Sequence, residues 1–190
     1  VPLKDDETHD LSAMLDALTP ETRVIFICSP NNPTGQIVDR DDLEEFIRQV
    51  PVEVVIVLDE AYIEYVSQEK RIDSLRMYRE HANVVILRTF SKAYGLAGLR
   101  VGFSISQEPI TQALRKTAMP FGVSSLAQAA AIASISAEPE LLERVASVVA
   151  ERERVFRALN EGGYTLQPSY ANFIWIRLGP DTAKLHVALE

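Results

Sequence analysis

The chain has 190 residues, 47% of them hydrophobic and 24% charged, and its 19 Lys and Arg against 27 Asp and Glu give a formal net charge of −8. No apolar run is long enough to span a bilayer and no block of basic residues stands out, which argues against a membrane protein and against binding nucleic acid through its phosphates. The sole cysteine, Cys28, permits no internal disulfide and fits a reducing, cytoplasmic setting, and His9, His81 and His186 lack metal-ligand spacing, so no metal site is expected.

In chain order the pattern is β-α repeated. A helix is expected near Asp10 to Leu18, and the apolar run Val24-Ile25-Phe26-Ile27-Cys28 reads as a buried strand that ends in Ser29-Pro30-Asn31-Asn32-Pro33-Thr34-Gly35. A helix over Asp41 to Gln49 leads to a second strand, Val54 to Leu58, which ends in Asp59-Glu60-Ala61-Tyr62; Asp59 can cap a short helix around Ala61 to Tyr65. Ser74 to Glu80 reads as helix and Val84 to Leu87 as a third strand, followed after a polar turn by a fourth over Arg100 to Ile105. Helices are then expected at Glu108 to Thr117, Ser125 to Ser136 and, as one long element with apolar residues near helical spacing, Glu138 to Asn160. Gly162-Gly163 ends that helix, Asn172-Phe173-Ile174-Trp175-Ile176 reads as a strand, and Thr182 to Val187 starts another helical pattern. The chain opens at Val1 without a methionine and stops at Glu190 inside that pattern, so it is expected to be part of a longer protein.

Alternation of this kind implies an α/β fold, with a mainly parallel sheet sandwiched by helices. The expected division is residues 1–137 as part of a large domain and 138–190 as a connecting helix and the start of a smaller α+β C-terminal domain. Lys92 lies in the polar turn between the third and fourth strands, at the carboxyl edge where open α/β sheets bind ligands. Three strands thus deliver an Asn, an Asp with a Tyr, and a Lys to one edge. The tight turn at Pro33 is a place for a cis peptide bond.

With Ser29 to Gly35, Asp59 to Tyr62 and Arg88-Thr89-Phe90-Ser91-Lys92 through Arg100-Val101-Gly102 in this order, the chain resembles the fold-type I pyridoxal-phosphate aminotransferases, in the branch of histidinol-phosphate and aromatic amino acid aminotransferases. The resemblance runs from about Ser29 to Leu178. It implies pyridoxal 5'-phosphate as cofactor, with Lys92 forming the internal Schiff base and shuttling the substrate α-proton, and Asp59 facing the pyridine nitrogen. It also implies that Asn32 and Tyr62 hold the 3-hydroxyl oxygen, and that Thr89, Ser91 and Arg100 hold the phosphate. Lys92, Asp59 and Tyr62 are the implied catalytic residues. Ala171-Asn172-Phe173 matches a stretch of this branch in which the asparagine approaches the substrate. Met119 to Gln128 matches a loop beside the lysine turn, with Phe121 as core or pocket wall, and Tyr65 and Tyr94 are further aromatic candidates. Arg88 takes no role from the resemblance and reads as a solvated strand-end charge. An upstream Gly/Ser turn for the phosphate and a downstream arginine for the substrate carboxylate are not located in the sequence.

The lysine turn together with Pro120-Phe121-Gly122-Val123-Ser124-Ser125 looks closer to the phenylalanine-type enzymes. The function so implied is amino transfer between an aromatic amino acid and a 2-oxo acid such as 2-oxoglutarate, in a cytoplasmic homodimer. Histidinol phosphate is the alternative substrate, and a related decarboxylase or a non-catalytic cofactor-sensing regulator domain are further readings.

Overall fold

A computed structural model describes residues 1–189. Seven α-helices and four strands follow in the order α1 (Leu11–Asp16), β1 (Val24–Cys28), α2 (Arg40–Gln49), β2 (Val55–Asp59), α3 (Ser74–Glu80), β3 (Val84–Thr89), β4 (Gly102–Ile105), α4 (Glu108–Thr117), α5 (Ser125–Ser136), α6 (Glu138–Glu161) and α7 (Thr182–Leu189). Aspartates start the first three helices, because their carboxylates satisfy amide hydrogens that have no partner inside the helix. Asp10 Oδ1 accepts from Ala13 N at 3.0 Å, Asp39 Oδ1 from Asp41 N at 2.8 Å, and Asp73 Oδ1 from Arg76 N at 3.0 Å.

The sheet has the order β1-β2-β3-β4, with the first three strands parallel and β4 antiparallel to β3. Helices α2 and α3 supply the crossovers that parallel pairing needs. Between β3 and β4 lies only a turn with one 3-10 segment, Ala97–Leu99, so β4 comes back antiparallel. In β1, Ile25 and Ile27 are buried while Val24 and Phe26 are exposed. The buried set joins Ile56, Leu58 and Val84 against Leu11 of α1, Leu43, Phe46 and Ile47 of α2 and Met77 of α3. Each such side chain contributes about 1.5–3 kcal/mol by leaving water.

Two smaller clusters hold the lysine turn. Leu141 and Val145 of α6 pack with Tyr62, Tyr65, Ala93 and Ala171. Ala127 and Ala131 of α5, one turn apart, pack with Phe90 and Val101, and their small size lets the helix approach the turn closely. Among the described residues no helix is long and apolar enough to cross a membrane.

Three local expectations are corrected. The helix expected around Ala61 to Tyr65 is a single 3-10 turn, Ile63–Tyr65, and Arg71 binds the Val66 and Glu64 carbonyls at 2.8 and 3.1 Å that a longer helix would use itself. The segment Asn172 to Ile176 is not a strand: among the described residues no strand runs beside it, and Arg152 of α6 instead takes the Ala171 carbonyl at 2.9 Å. Phe121 is neither core nor pocket wall but fully exposed, in a turn where φ is +59° and Gly122 N donates to Met119 O.

Leu43 is completely buried beneath the sheet. Leu43→Ala in the intact protein should therefore lower the unfolding free energy by about 3 kcal/mol and Asp39→Ala by about 1 kcal/mol, read from denaturant titrations. A larger loss at the cap than in the core would contradict this account of the core.

Candidate active site

The carboxyl ends of β1, β2 and β3 stop side by side. Cys28 stands opposite Asp59 and Asp59 opposite Leu87 in the parallel register, and Ser29 N and Glu60 N add one further bond each, to Asp59 O at 3.0 Å and Leu87 O at 3.1 Å. The turns leaving these ends are therefore neighbours although they are far apart in sequence.

The turn after β1 is closed on itself. Asn31 N donates to Gln36 O and Gly35 N to Asn31 O, both at 2.7 Å, while the Asn31 amide reaches Thr34 Oγ1 at 3.0 Å. The peptides before Pro30 and Pro33 are cis, the second as the sequence led us to expect. Gly35 has φ +77°, and a Cβ there would collide with Ser169 Oγ and lie 2.8 Å from Ser169 Cβ. Glycine is required on both counts. This turn holds Asn32 so that its Nδ2 donates to Tyr62 Oη at 3.0 Å.

Tyr62 is the hub on this side. It is buried, meets Phe173 edge to face at 5.3 Å between ring centroids, and carries Lys92 Nζ above its ring at 5.1 Å. Stacking and cation–π geometry of this kind fix the phenol in place and draw the ammonium toward it.

Lys92 sits in a loop tied at its base by Leu96 N to Phe90 O at 2.8 Å and Gly95 N to Lys92 O at 3.0 Å. Thr89 Oγ1 accepts from Ser91 N at 3.1 Å and tightens the entry to that loop. A cleft of about 580 Å³ opens over it, lined by Asp59, Thr89, Ser91, Lys92, Arg100 and Ser104 among others. Arg100 has left-handed backbone, φ +52° and ψ +52°, with Nη1 on Ala97 O at 2.9 Å. A non-glycine residue held there is mildly strained, which points to a required side chain. Gly102 lets β4 close on β3, since a Cβ there would lie 2.7 Å from Arg88 O.

Asp59 does both things its position allows. Its Oδ1 caps Ala61 N at 3.1 Å, and the carboxylate also lines the cleft. Its charge is felt behind the strand end as well: burial first, and Asp59 second, push the Cys28 thiol pKa up. The Tyr65 and Tyr94 hydroxyls are raised by burial and then by the Glu64 carboxylate.

Asp59, Thr89, Ser91, Lys92 and Arg100 thus share one cleft, and Asn32 and Tyr62 adjoin it through Lys92. Asn172 does not line it. That residue is exposed on a separate, mostly apolar groove of about 460 Å³ with Val148, Arg152, Val155 and Phe173; its side chain acts on the Tyr65 hydroxyl, and its neighbour Phe173 packs on Tyr62. The sequence reading missed Glu60 and misjudged Arg88. Far from being solvated, Arg88 Nε binds the buried Glu60 carboxylate at 2.6 Å. The available signal was their matched place, each one position along from a candidate site residue at neighbouring strand ends.

The family model described as aminotransferase class I and II matches residues 1–189. An aromatic amino acid aminotransferase of Streptomyces avermitilis is 56% identical over the whole chain, which covers 53% of it, and one of Streptomyces coelicolor is 57% identical with the same coverage. The chain spans about half the length of the curated relatives it matches. Among solved structures, a histidinol-phosphate aminotransferase from Sinorhizobium meliloti in complex with pyridoxal-5'-phosphate matches with a TM-score of 0.88 and 33% identity, over 98% of this chain and 50% of that one.

Because the Asp59 charge helps hold the Cys28 thiol protonated, Asp59→Asn should lower the thiol pKa and speed its alkylation at a fixed pH near neutrality. The pH dependence of iodoacetamide labelling reads the midpoint; an unchanged midpoint would separate two groups that the fold sets side by side.

Proposed function

The chain belongs to the class I and II aminotransferase family, and from that premise we propose that the intact protein transfers the amino group of an aromatic amino acid to a 2-oxo acid, using pyridoxal 5'-phosphate. The observation that carries the proposal is the shared cleft of Lys92, Asp59, Thr89, Ser91 and Arg100. Their chemistry fits the cofactor group by group: an amine for an aldehyde, a carboxylate for a basic ring nitrogen, and a guanidinium with two hydroxyls for a phosphate. When bound, the cofactor supplies an aldehyde carbon and a ring that accepts electrons from the substrate α-carbon.

The residues of the chain do the rest. Arg100, Thr89 and Ser91 would hold the phosphate. Asp59, with Oδ1 anchored by Ala61 N, would favour a protonated ring nitrogen, because a nearby negative charge favours the cationic form. Asn32 and Tyr62, already hydrogen-bonded to each other, would hold the phenolic oxygen. Lys92 Nζ is the amine that would hold the cofactor's aldehyde group and, when free, would move the substrate α-proton. The Tyr62 ring, with its centroid 5.1 Å from Nζ, is the contact that orients this amine.

The aromatic substrate class rests on the names of the relatives at 56 and 57% identity. Histidinol phosphate is the second reading, favoured by the structural neighbour at 33% identity. Exposed Met119, Phe121, Leu126 and Ile132 support a homodimer of the intact protein, and the single cysteine supports a cytoplasmic setting.

Phenylalanine and histidinol phosphate, offered separately with 2-oxoglutarate to the intact protein loaded with cofactor, decide the substrate. Rapid formation of the keto product from phenylalanine supports the proposal, and formation from histidinol phosphate alone replaces it with the second reading. Lys92→Ala should bind the cofactor but retain none covalently after borohydride reduction, and Asp59→Ala should lose about 100-fold or more in kcat. Wild-type turnover by either variant would refute the corresponding role.

A further inference from the structure

At the rim of the cleft, where Arg88 is one of the lining residues, lies an ion pair that the roles above do not use. Side chains alternate along a strand, so Glu60 continues the face of Ile56 and Leu58, and Arg88 continues the face of Val84. Asp59 and Thr89, one residue back and one residue on, look the other way into the cleft. Glu60 and Arg88 meet across the tips of β2 and β3, with Nε–Oε2 at 2.6 Å and side chains 2% and 27% exposed. The bond between Glu60 N and Leu87 O lies just below them. Beyond it β2 runs into the Ile63–Tyr65 turn and β3 into the lysine loop.

A pair in this setting is a poor source of stability, since withdrawing both charges from water offsets most of their attraction and well-packed apolar residues do as well. Burial pushes the Glu60 carboxyl up, and the Arg88 charge, the Ser74 hydroxyl and the Arg71 charge act in the other direction. Arg88 therefore shares this carboxylate with Ser74 and Arg71. What the contact does give is direction: a short charge-assisted bond fixes the distance between two strand tips more tightly than apolar packing does.

We infer that the Glu60–Arg88 ion pair is a positioning device that sets the separation between Asp59 and the lysine loop, and so the fit of the cofactor between them. This rests on the proposed use of Asp59 and Lys92. Glu60 does not line the cleft and Arg88 borders it; the role assigned to the pair is exerted through the neighbouring Asp59 and Thr89.

The test uses the intact protein with Glu60→Gln, Arg88→Met and the double variant. Three quantities are read: the dissociation constant of pyridoxal phosphate, the pH midpoint of the visible band of the lysine-bound cofactor, and the melting temperature without cofactor. Glu60→Gln should raise the dissociation constant about tenfold and move the band midpoint upward, because a looser Asp59 withdraws less charge through the ring. The double variant should match Glu60→Gln, not multiply the two effects, and it carries the comparison if a single variant leaving one charge buried fails to fold. A dissociation constant and midpoint at wild-type values beside a lowered melting temperature would make the pair merely structural and overturn the inference. Wild-type protein that attaches no cofactor to Lys92 would overturn the site reading and this inference together, whereas normal attachment with unaltered variants would overturn this inference alone.

Discussion

Parallel pairing of β1, β2 and β3 puts every same-sense strand end on one edge, and the register brings Cys28, Asp59 and Leu87 level with one another. Each strand then leaves the sheet within one or two residues of that line. The turn with Asn32, the turn with Tyr62 and the loop with Lys92 become neighbours through this alignment alone. A one-residue slip of β2 would turn Asp59 to the far face and bring Glu60 into the cleft. The buried face of the sheet guards against that slip, because Ile56 and Leu58 fit the core beneath α2 only in the observed register.

The loops are then held from above. Small alanines of α5 and branched residues of α6 close on the two sides of the lysine loop, leaving its own hydrogen bonds to set its curvature. The segment before Asn172 is strapped down at three points: Tyr170 N to Gly35 O at 2.8 Å, Gln36 Nε2 to Pro168 O at 2.8 Å and Arg152 Nη1 to Ala171 O at 2.9 Å. Two of the three anchors belong to the turn that carries Asn32. The same contacts bring Phe173 against Tyr62, so a segment from the far end of the chain braces the phenol that Lys92 overlies.

Much of this was legible in the sequence, for reasons that separate local from distant determinants. The apolar runs at Val24, Val55 and Val84 ended in turn residues, and helices such as Glu108–Thr117 and Ser125–Ser136 carried their caps or a proline near the start, so their extents could be read directly. Lys92 and Asp59 stood out because they occupy strand ends in one chain order, and Thr89, Ser91 and Arg100 through the resemblance of their motif to the family's. Asn172 to Ile176 has the composition of a strand, yet strand formation needs a partner, and its apolar side chains follow α6 instead. Phe121 showed no sign that its backbone would adopt positive φ and present the ring to solvent. Arg88 misled for a similar reason: a charge beside a polar turn looks solvated until the neighbouring strand is known to offer a buried carboxylate in register.

The account depends on one spatial claim, that Asp59 and the Lys92 loop grip opposite ends of the same small molecule. A crystal structure of the intact protein with pyridoxal phosphate tests it most directly. The account predicts the ring nitrogen within hydrogen-bond distance of the Asp59 carboxylate, about 2.6–3.2 Å, with the phosphate on Ser91 and Arg100 and Lys92 Nζ joined to the aldehyde carbon. A phosphate bound away from Ser91 and Arg100, or a ring whose nitrogen points away from Asp59, would contradict it.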